Sequence, residues 1–401
     1  MSEKAYDAVV AGHVCLDIIP ELSHPGGTVE QVFVPGKLLN IESTAFCTGG
    51  AVSNVGIPLI KLGIHTGLMG KIGNDAFGSG IRSIFAQYRA EQALTTVEGE
   101  HSSYTVVMAP RGIDRIFLHH PGANDTFCSA DINYDLIRTT RLFHLGYPPL
   151  MRRLFENQGH ETETIFRTVK SCGATTSLDM ALPDPASPAG QADWKTILNR
   201  VLPYVDIAPF SAEEAMFMLN RPRFDALQQA AHGRDPLEAY VPDDFLWLGR
   251  ELLRLGARMA LLKCGMRGMI LLTADRSSLQ ALGRAAPANP NAWAGRILWH
   301  EVFHVDRVVA AVGSGDNAIA GFLAALLRGA DPETALATAC CVGAQNVQVP
   351  DSISGVKTWE ETQAMIRTGS RHREQPGKGW TYHATRFIWS GPADSGGSHR
   401  T

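Results

Sequence analysis

The sequence predicts an α/β protein, and three observations carry that expectation. Short apolar runs suited to buried strands alternate with segments whose apolar residues recur at helical spacing. Several of these runs end in glycine or a carboxylate, the position where ligands bind in open α/β sheets. A few half-exposed, alternating runs interrupt the βα order, which predicts a small separate sheet over a cleft, a lid.

The elements follow in chain order. Asp7 to Cys15 reads as a buried first strand; Gly12 permits close backbone approach. Asp17 follows at its end, either to hold a polar substrate or as a turn residue. Val29 to Val34 reads as a half-exposed strand, and Tyr104 to Met108 with Arg115 to Leu118 as a hairpin about Pro110-Arg111-Gly112. Gly49-Gly50-Ala51 opens a helix that carries Asn54 one turn on and stops at Gly63. Pro58 inside it predicts a kink. His65 to Ile72 reads as one strand with Lys71 as a solvated side chain. Leu142 to Tyr147, Thr175 to Asp179, Val201 to Pro209, Met259 to Leu262 and Met269 to Leu272 read as further strands. Lys263 to Gly268 is a tight turn, and Ser211 with Glu214 fits a helix capping box. The tail from Arg371 is polar and glycine-rich, although Trp380, Phe387 and Trp389 point to some docking.

Ala310 to Gly329 concentrates the chemistry. Gly313, Ser314 and Gly315 lie between an apolar run and a helix pattern through Ile319, Phe322, Leu323 and Leu326. Backbone N–H groups at such a helix start lack partners, and with the helix dipole they form an anion site. Asp316 stands where the helix should begin. A carboxylate there can take a proton from a hydroxyl, so the parts suit phosphoryl transfer to an alcohol. A plain strand-to-helix turn with an aspartate N-cap is the alternative.

Composition bounds the partners. With 401 residues and 45% hydrophobic content the chain can build one large core with insertions. A formal charge of -4 disfavours nucleic acid or an anionic membrane as partner. The 7 cysteines include no Cys-x-x-Cys pair, so neither a disulfide scaffold nor a zinc site is expected. No secretory leader or membrane-spanning segment is apparent, and a cytoplasmic location is expected.

Seven segments in order resemble one family. They are Gly12 to Asp17, Gly49-Gly50-Ala51-Val52-Ser53-Asn54, Gly70 to Gly78, Gly122-Ala123-Asn124, Ser211 to Glu214, Lys263-Cys264-Gly265 and Gly313-Ser314-Gly315-Asp316. Residues 7 to 357 thereby resemble the ribokinase (PfkB) family of carbohydrate kinases. The resemblance implies a Rossmann-like three-layer α/β/α core with a small β-sheet lid, the ribokinase-like fold. It implies a kinase domain over 1–370, lid strands from about 18–46 and 99–122, and a polar extension over 371–401. The implied activity is transfer of the ATP γ-phosphate to a sugar hydroxyl. Asp316 would be the general base, and Gly313, Ser314 and Gly315 the anion hole. Asp17, Gly49, Gly50, Asn54 and Asn124 would hold the acceptor. Lys263, Gly265, Gly268 and Asn346 would lie on the nucleotide, and Glu214 would help place Mg²⁺. A homodimer through the lid, by way of Val29 to Val34, follows by the same analogy.

The departures from the family pattern are local. Ala310 and Ala311 replace an Asp-Thr pair, which argues against a monovalent-cation requirement. Ser211 replaces an asparagine, and Lys263 replaces a threonine. Two other functions stay open: a nucleoside kinase with Phe33, Phe46 and Phe117 as a base-stacking wall, and a catalytically silent sugar-binding or regulatory protein.

Overall fold

Ala8–Gly12, the first strand in the chain, lies one place in from the edge of the main sheet. The computed structural model describes residues 5–22, 28–108, 116–372 and 376–397. Ten strands follow the order Thr66–Met69, Ala8–Gly12, Leu142–Gly146, Thr175–Asp179, Ile207–Ala208, Met259–Lys263, Met269–Thr273, Ile297–His300, Ile388–Ser390, Thr381–His383. The first six are parallel. The last four continue antiparallel from Met259–Lys263.

Helices cover both faces, and the two-residue period of the strands shows it. Val9 and Ala11 enter one apolar cluster with the helices Arg152–Ser171, Trp194–Val201 and Pro242–Arg254. Ala8 and Val10 enter the other, with Ala51–Lys61, Ser314–Leu327 and Pro332–Asn346. Strands buried on both faces read as continuous apolar runs, which is why the sequence showed them. This is the three-layer α/β/α architecture expected.

A second sheet has four strands in the order Ile41–Gly49, Cys15–Leu22, Tyr104–Met108, Ile116–His120. The chain crosses between the sheets at His13-Val14. Gly12 makes the crossing possible: its φ is 116°, and a Cβ there would run into the Gly146 carbonyl. No described helix is long and apolar enough to cross a membrane.

Several expectations change. Asp17 does not end the first strand but lies inside Cys15–Leu22 of the second sheet. Val29–Val32 is a short helix, because Gln31 folds back to accept the Thr28 N–H at 2.9 Å; the dimerising strand expected there is absent. The hairpin strands stand, while Pro110, Arg111 and Gly112 lie outside the described residues. The run His65 to Ile72 splits at Gly70 into Thr66–Met69 and Lys71–Gly73, which belong to different sheets. Lys71 is buried, bonded to Thr126 at 2.9 Å and paired with Glu100 at 3.1 Å. Pro58 sits within Ala51–Lys61, where it forgoes the bond to the Asn54 carbonyl four residues back. Within the tail, Ile388–Ser390 and Thr381–His383 pair at the edge of the main sheet.

One buried charge ties four elements together. Asp206 accepts from the Thr176 N–H at 2.9 Å and meets Lys170 and Arg258, the latter at 3.2 Å. Replacing Asp206 by alanine strands two cations that keep some access to solvent, so the loss should be about 3 kcal/mol, at the low end for a broken buried pair. Urea denaturation of Asp206→Ala beside the wild type measures it.

Candidate active site

The carboxyl ends of the parallel strands converge on one cleft. His13 follows Ala8–Gly12, Tyr147 follows Leu142–Gly146, Asp179 ends Thr175–Asp179, Ser211 follows Ile207–Ala208, and Lys263 ends Met259–Lys263. The helix Ser314–Leu327 starts at the same place.

Gly313 is the N-cap of that helix, with φ 75°, and a Cβ on it would lie 2.5 Å from that of Ser352. Asp316 is therefore the third helical residue, not the cap. The Ser314 N–H donates to Ala311 O at 3.1 Å, so one of the three amides expected in the anion hole is spent inside the turn. Gly315 leaves room for Lys263, whose Cδ would lie 3.1 Å from a Cβ at that position.

The Asp316 carboxylate is buried and fully engaged. Tyr147 donates its hydroxyl to both carboxylate oxygens at 2.6 Å. Asn54 reaches it through Nδ2 at 3.4 Å and accepts from Ser352 at 2.8 Å through Oδ1. Burial raises the Asp316 pKa, against the pull of Lys263, Tyr147 and Asn54. Tyr147 is held in the left-handed region, φ 68° and ψ 43°, at a cost of roughly 1–3 kcal/mol for a residue other than glycine. Such strain persists where surrounding contacts fix it, and here the Tyr147 N–H donates to Asp179 O at 3.2 Å.

Lys263 brings the cation. Its Nζ lies 2.8 Å from Asp179 Oδ1 and 3.8 Å from Glu214 Oε2. Burial works against the ammonium, but Asp179, Glu214 and Asp316 outweigh it and hold its pKa above the usual lysine range. Burial raises Asp179 and Glu214 as well, with Lys263 opposing in both. The Asp179 Oδ2 is buried without a hydrogen-bond partner. Glu214 closes the expected capping box, accepting from Ser211 N–H at 2.6 Å.

The second sheet supplies the opposite wall. Across its ladders Asp17 pairs with Cys47 and Thr105, and Thr105 with His119, so all four share one face. A Cβ on Gly49 would strike the Asp17 carboxylate, and one on Gly50, at φ 84°, would strike His13. Burial lifts the Asp17 pKa to about 6, tempered by bonds from Cys15 and Thr105. His13 approaches His119 at 3.4 Å between Nε2 atoms, and burial lowers its pKa to about 3.

The expected residues thus divide. Asp316, Gly313, Ser314, Gly315, Lys263, Glu214 and Asn54 cluster at the helix start, and Asp17, Gly49 and Gly50 line the adjoining wall. Asn124 does not join them: its amide is spent on the Val14 backbone, at 3.3 and 3.0 Å, where it holds the crossing between sheets. Asn346 is buried and donates to Val312 O at 3.0 Å, which pins the loop before Gly313. Gly265 and Gly268 shape the turn after Lys263, with φ of 57° and 88°. Phe46 and Phe117 pair with residues on opposite faces of the second sheet, so no aromatic wall forms from them. Tyr147, Asp179, His13 and His119 were missed. Tyr147 and Asp179 each carried a sequence signal, as the last residue of an expected strand.

The family comparison agrees with this geometry. The description "pfkB family carbohydrate kinase" matches residues 8–359. The chain belongs to that family. Among curated proteins it is 25% identical over 194 residues to "Probable fructokinase-7" of Arabidopsis thaliana, covering 46% of this chain and 55% of that protein. The match therefore spans little more than half of that relative. Among solved structures, the Arabidopsis thaliana ribokinase complexed with ribose and ATP superposes with TM-score 0.67 at 18% identity, over 91% of this chain and 99% of that one. The Xylella fastidiosa fructokinase with bound ATP gives 0.65 at 18%, over 90% and 98%. These structures share the fold.

Two outcomes follow. With its pKa raised from 3.8 to about 6, Asp17 favours the fold when protonated. The wild type should lose stability as pH rises from about 4 to 6, by up to about 3 kcal/mol, and stay at the lower value above that. Asp17→Asn should flatten that part of the melting-temperature profile. Lys263→Met leaves buried carboxylates uncompensated and should cost about 3–5 kcal/mol at pH 7.5. That deficit should narrow as pH falls and the carboxyls protonate, which thermal melts across pH will show.

Proposed function

We propose that this protein transfers the γ-phosphate of ATP to a hydroxyl of a sugar, with Asp316 as general base. The observation that carries the reading is a buried carboxylate in the first turn of a glycine-capped helix, with a hydroxyl already bonded to it and an ammonium beside the same turn. Burial suits it to the base role, because a carboxyl with a raised pKa takes a proton more readily.

The acceptor hydroxyl oxygen attacks the γ-phosphorus as its proton passes to Asp316. The new oxygen–phosphorus bond forms, the bond to the β–γ bridging oxygen breaks, and ADP leaves. The amide of Gly315 and the ammonium of Lys263 face the transferring phosphoryl, where preorganised donors stabilise the charge that develops. Asp17 and Asn54 hold the other acceptor hydroxyls, and the second sheet acts as the lid that excludes water.

The residues present also fit a divalent cation. Asp179, Glu214 and Asp316 outnumber the one ammonium, and Asp179 Oδ2 lacks a partner. No described cluster of three or more His, Cys, Asp or Glu residues could hold a metal by itself, so Mg²⁺ would come with the nucleotide phosphates, with Glu214 and Asp179 nearest. When bound, it neutralises phosphate charge.

Relatives named for fructose and ribose make monosaccharides the acceptors to try first. With ATP, Mg²⁺ and a panel of sugars and nucleosides, ADP release should appear with a sugar. Asp316→Asn should lower kcat by about 10³-fold or more while ATP binding by calorimetry stays within a few-fold, since a base acts on the reaction and not on nucleotide affinity. Near wild-type turnover in Asp316→Asn would remove it from the base role. Ligand-induced thermal stabilisation without turnover on any acceptor would favour the silent binding protein.

A further inference from the structure

We propose that Tyr147 is a stand-in for the acceptor: its hydroxyl occupies the acceptor-hydroxyl position on Asp316 and keeps water from the base until a sugar displaces it. The proposal rests on the transferase reading above.

The geometry is specific. A hydroxyl that is about to be deprotonated must donate to the base, within ordinary hydrogen-bond distance. The Tyr147 hydroxyl already does so, at 2.6 Å to both oxygens of Asp316. A phenol there fills the place that either an acceptor hydroxyl or a water would take. Transfer to water would join the water oxygen to the γ-phosphorus, break the same bond to ADP, deliver the proton to Asp316 and release inorganic phosphate. A group that holds the base in the absence of sugar suppresses that loss.

The surroundings let Tyr147 serve in this way. Its own proton is hard to remove, since burial and the Asp316 charge raise its pKa well above the ordinary phenol value. The phenol therefore stays a donor and does not itself become a nucleophile near neutral pH. Its ring is only partly buried and stands 6.1 Å, centroid to centroid, from that of His13. His13 touches His119 on the second sheet, and His119 is bonded to Thr105 at 3.0 Å, next to Asp17 across the ladder. The wall that would receive a sugar is thus in ring contact with the residue that guards the base. Gly146 and Pro148 flank Tyr147 and are buried, which restrains the backbone there, so the displacement proposed is of the side chain.

The test compares ATP turnover with and without acceptor. Wild-type protein with ATP and Mg²⁺ alone should release phosphate no faster than Asp316→Asn. Tyr147→Phe, which removes one oxygen and keeps the ring, should raise acceptor-free phosphate release by about tenfold or more, and Tyr147→Phe/Asp316→Asn should abolish the rise. A merely structural tyrosine would not give a gain of activity that depends on Asp316. The acid limb of kcat/KM with sugar should also move to higher pH in Tyr147→Phe, because a bond that favours ionised Asp316 is gone. Acceptor-free hydrolysis that is fast in the wild type and dependent on Asp316 overturns the guard, and this needs no variant at Tyr147 to fold. Sugar phosphorylation in the wild type with unchanged hydrolysis in Tyr147→Phe overturns the guard alone. Absence of transfer to every acceptor overturns the transferase reading and the guard with it.

Discussion

The balance of charge around Lys263 is the constraint on which the site depends. One ammonium at the end of a parallel strand faces Asp179 at 2.8 Å and Glu214 at 3.8 Å, and it opposes the burial penalty on Asp316. Without it, burial and mutual repulsion would push the three neighbouring carboxyls further toward the protonated form. The lysine therefore does two things at once: it opposes the burial that pushes all three carboxyl pKa values up, and it sets positive charge beside the helix start.

The fold makes that balance possible by bringing strand ends together. Thr175–Asp179 and Met259–Lys263 are two strands apart in one parallel sheet, with Ile207–Ala208 between them, so residues 84 apart in sequence meet at the same edge. The helix Ser314–Leu327 packs along Pro332–Asn346 at close range, which Gly321 permits by meeting Thr338 and Ala339 with no side chain of its own. That packing fixes the first turn. Asn346 then holds Val312, and Asn317 holds Gly313 and Ser352, so the chain's own side chains tie down the loop into the helix.

The chain passes from the first sheet to the second through a short crossing at His13-Val14, which the Asn124 amide holds at Val14. An asparagine that seemed suited to a sugar is instead a structural clamp. The reverse holds for Tyr147, which the sequence marks only as the end of a strand before two prolines and which reaches Asp316 across 169 positions of sequence. Side-chain roles exchange in this way because any hydrogen-bonding group serves where the backbone happens to place it.

The sequence by itself determined the order of strands and helices in the parallel half, because buried parallel strands leave continuous apolar runs and glycine stops that local patterns reveal. It also determined the glycine turn and Asp316 as one unit, since four consecutive residues carry that signal. It did not determine where alternating or short segments go. Val29–Val32 became a helix through one side-chain cap, Lys71 was buried by partners from three other segments, and the tail found an open sheet edge. Only tertiary structure chose the neighbours of Asp316. Tyr147, Asn54 and Lys263 come from separate elements, and no spacing within the chain records that their side chains meet.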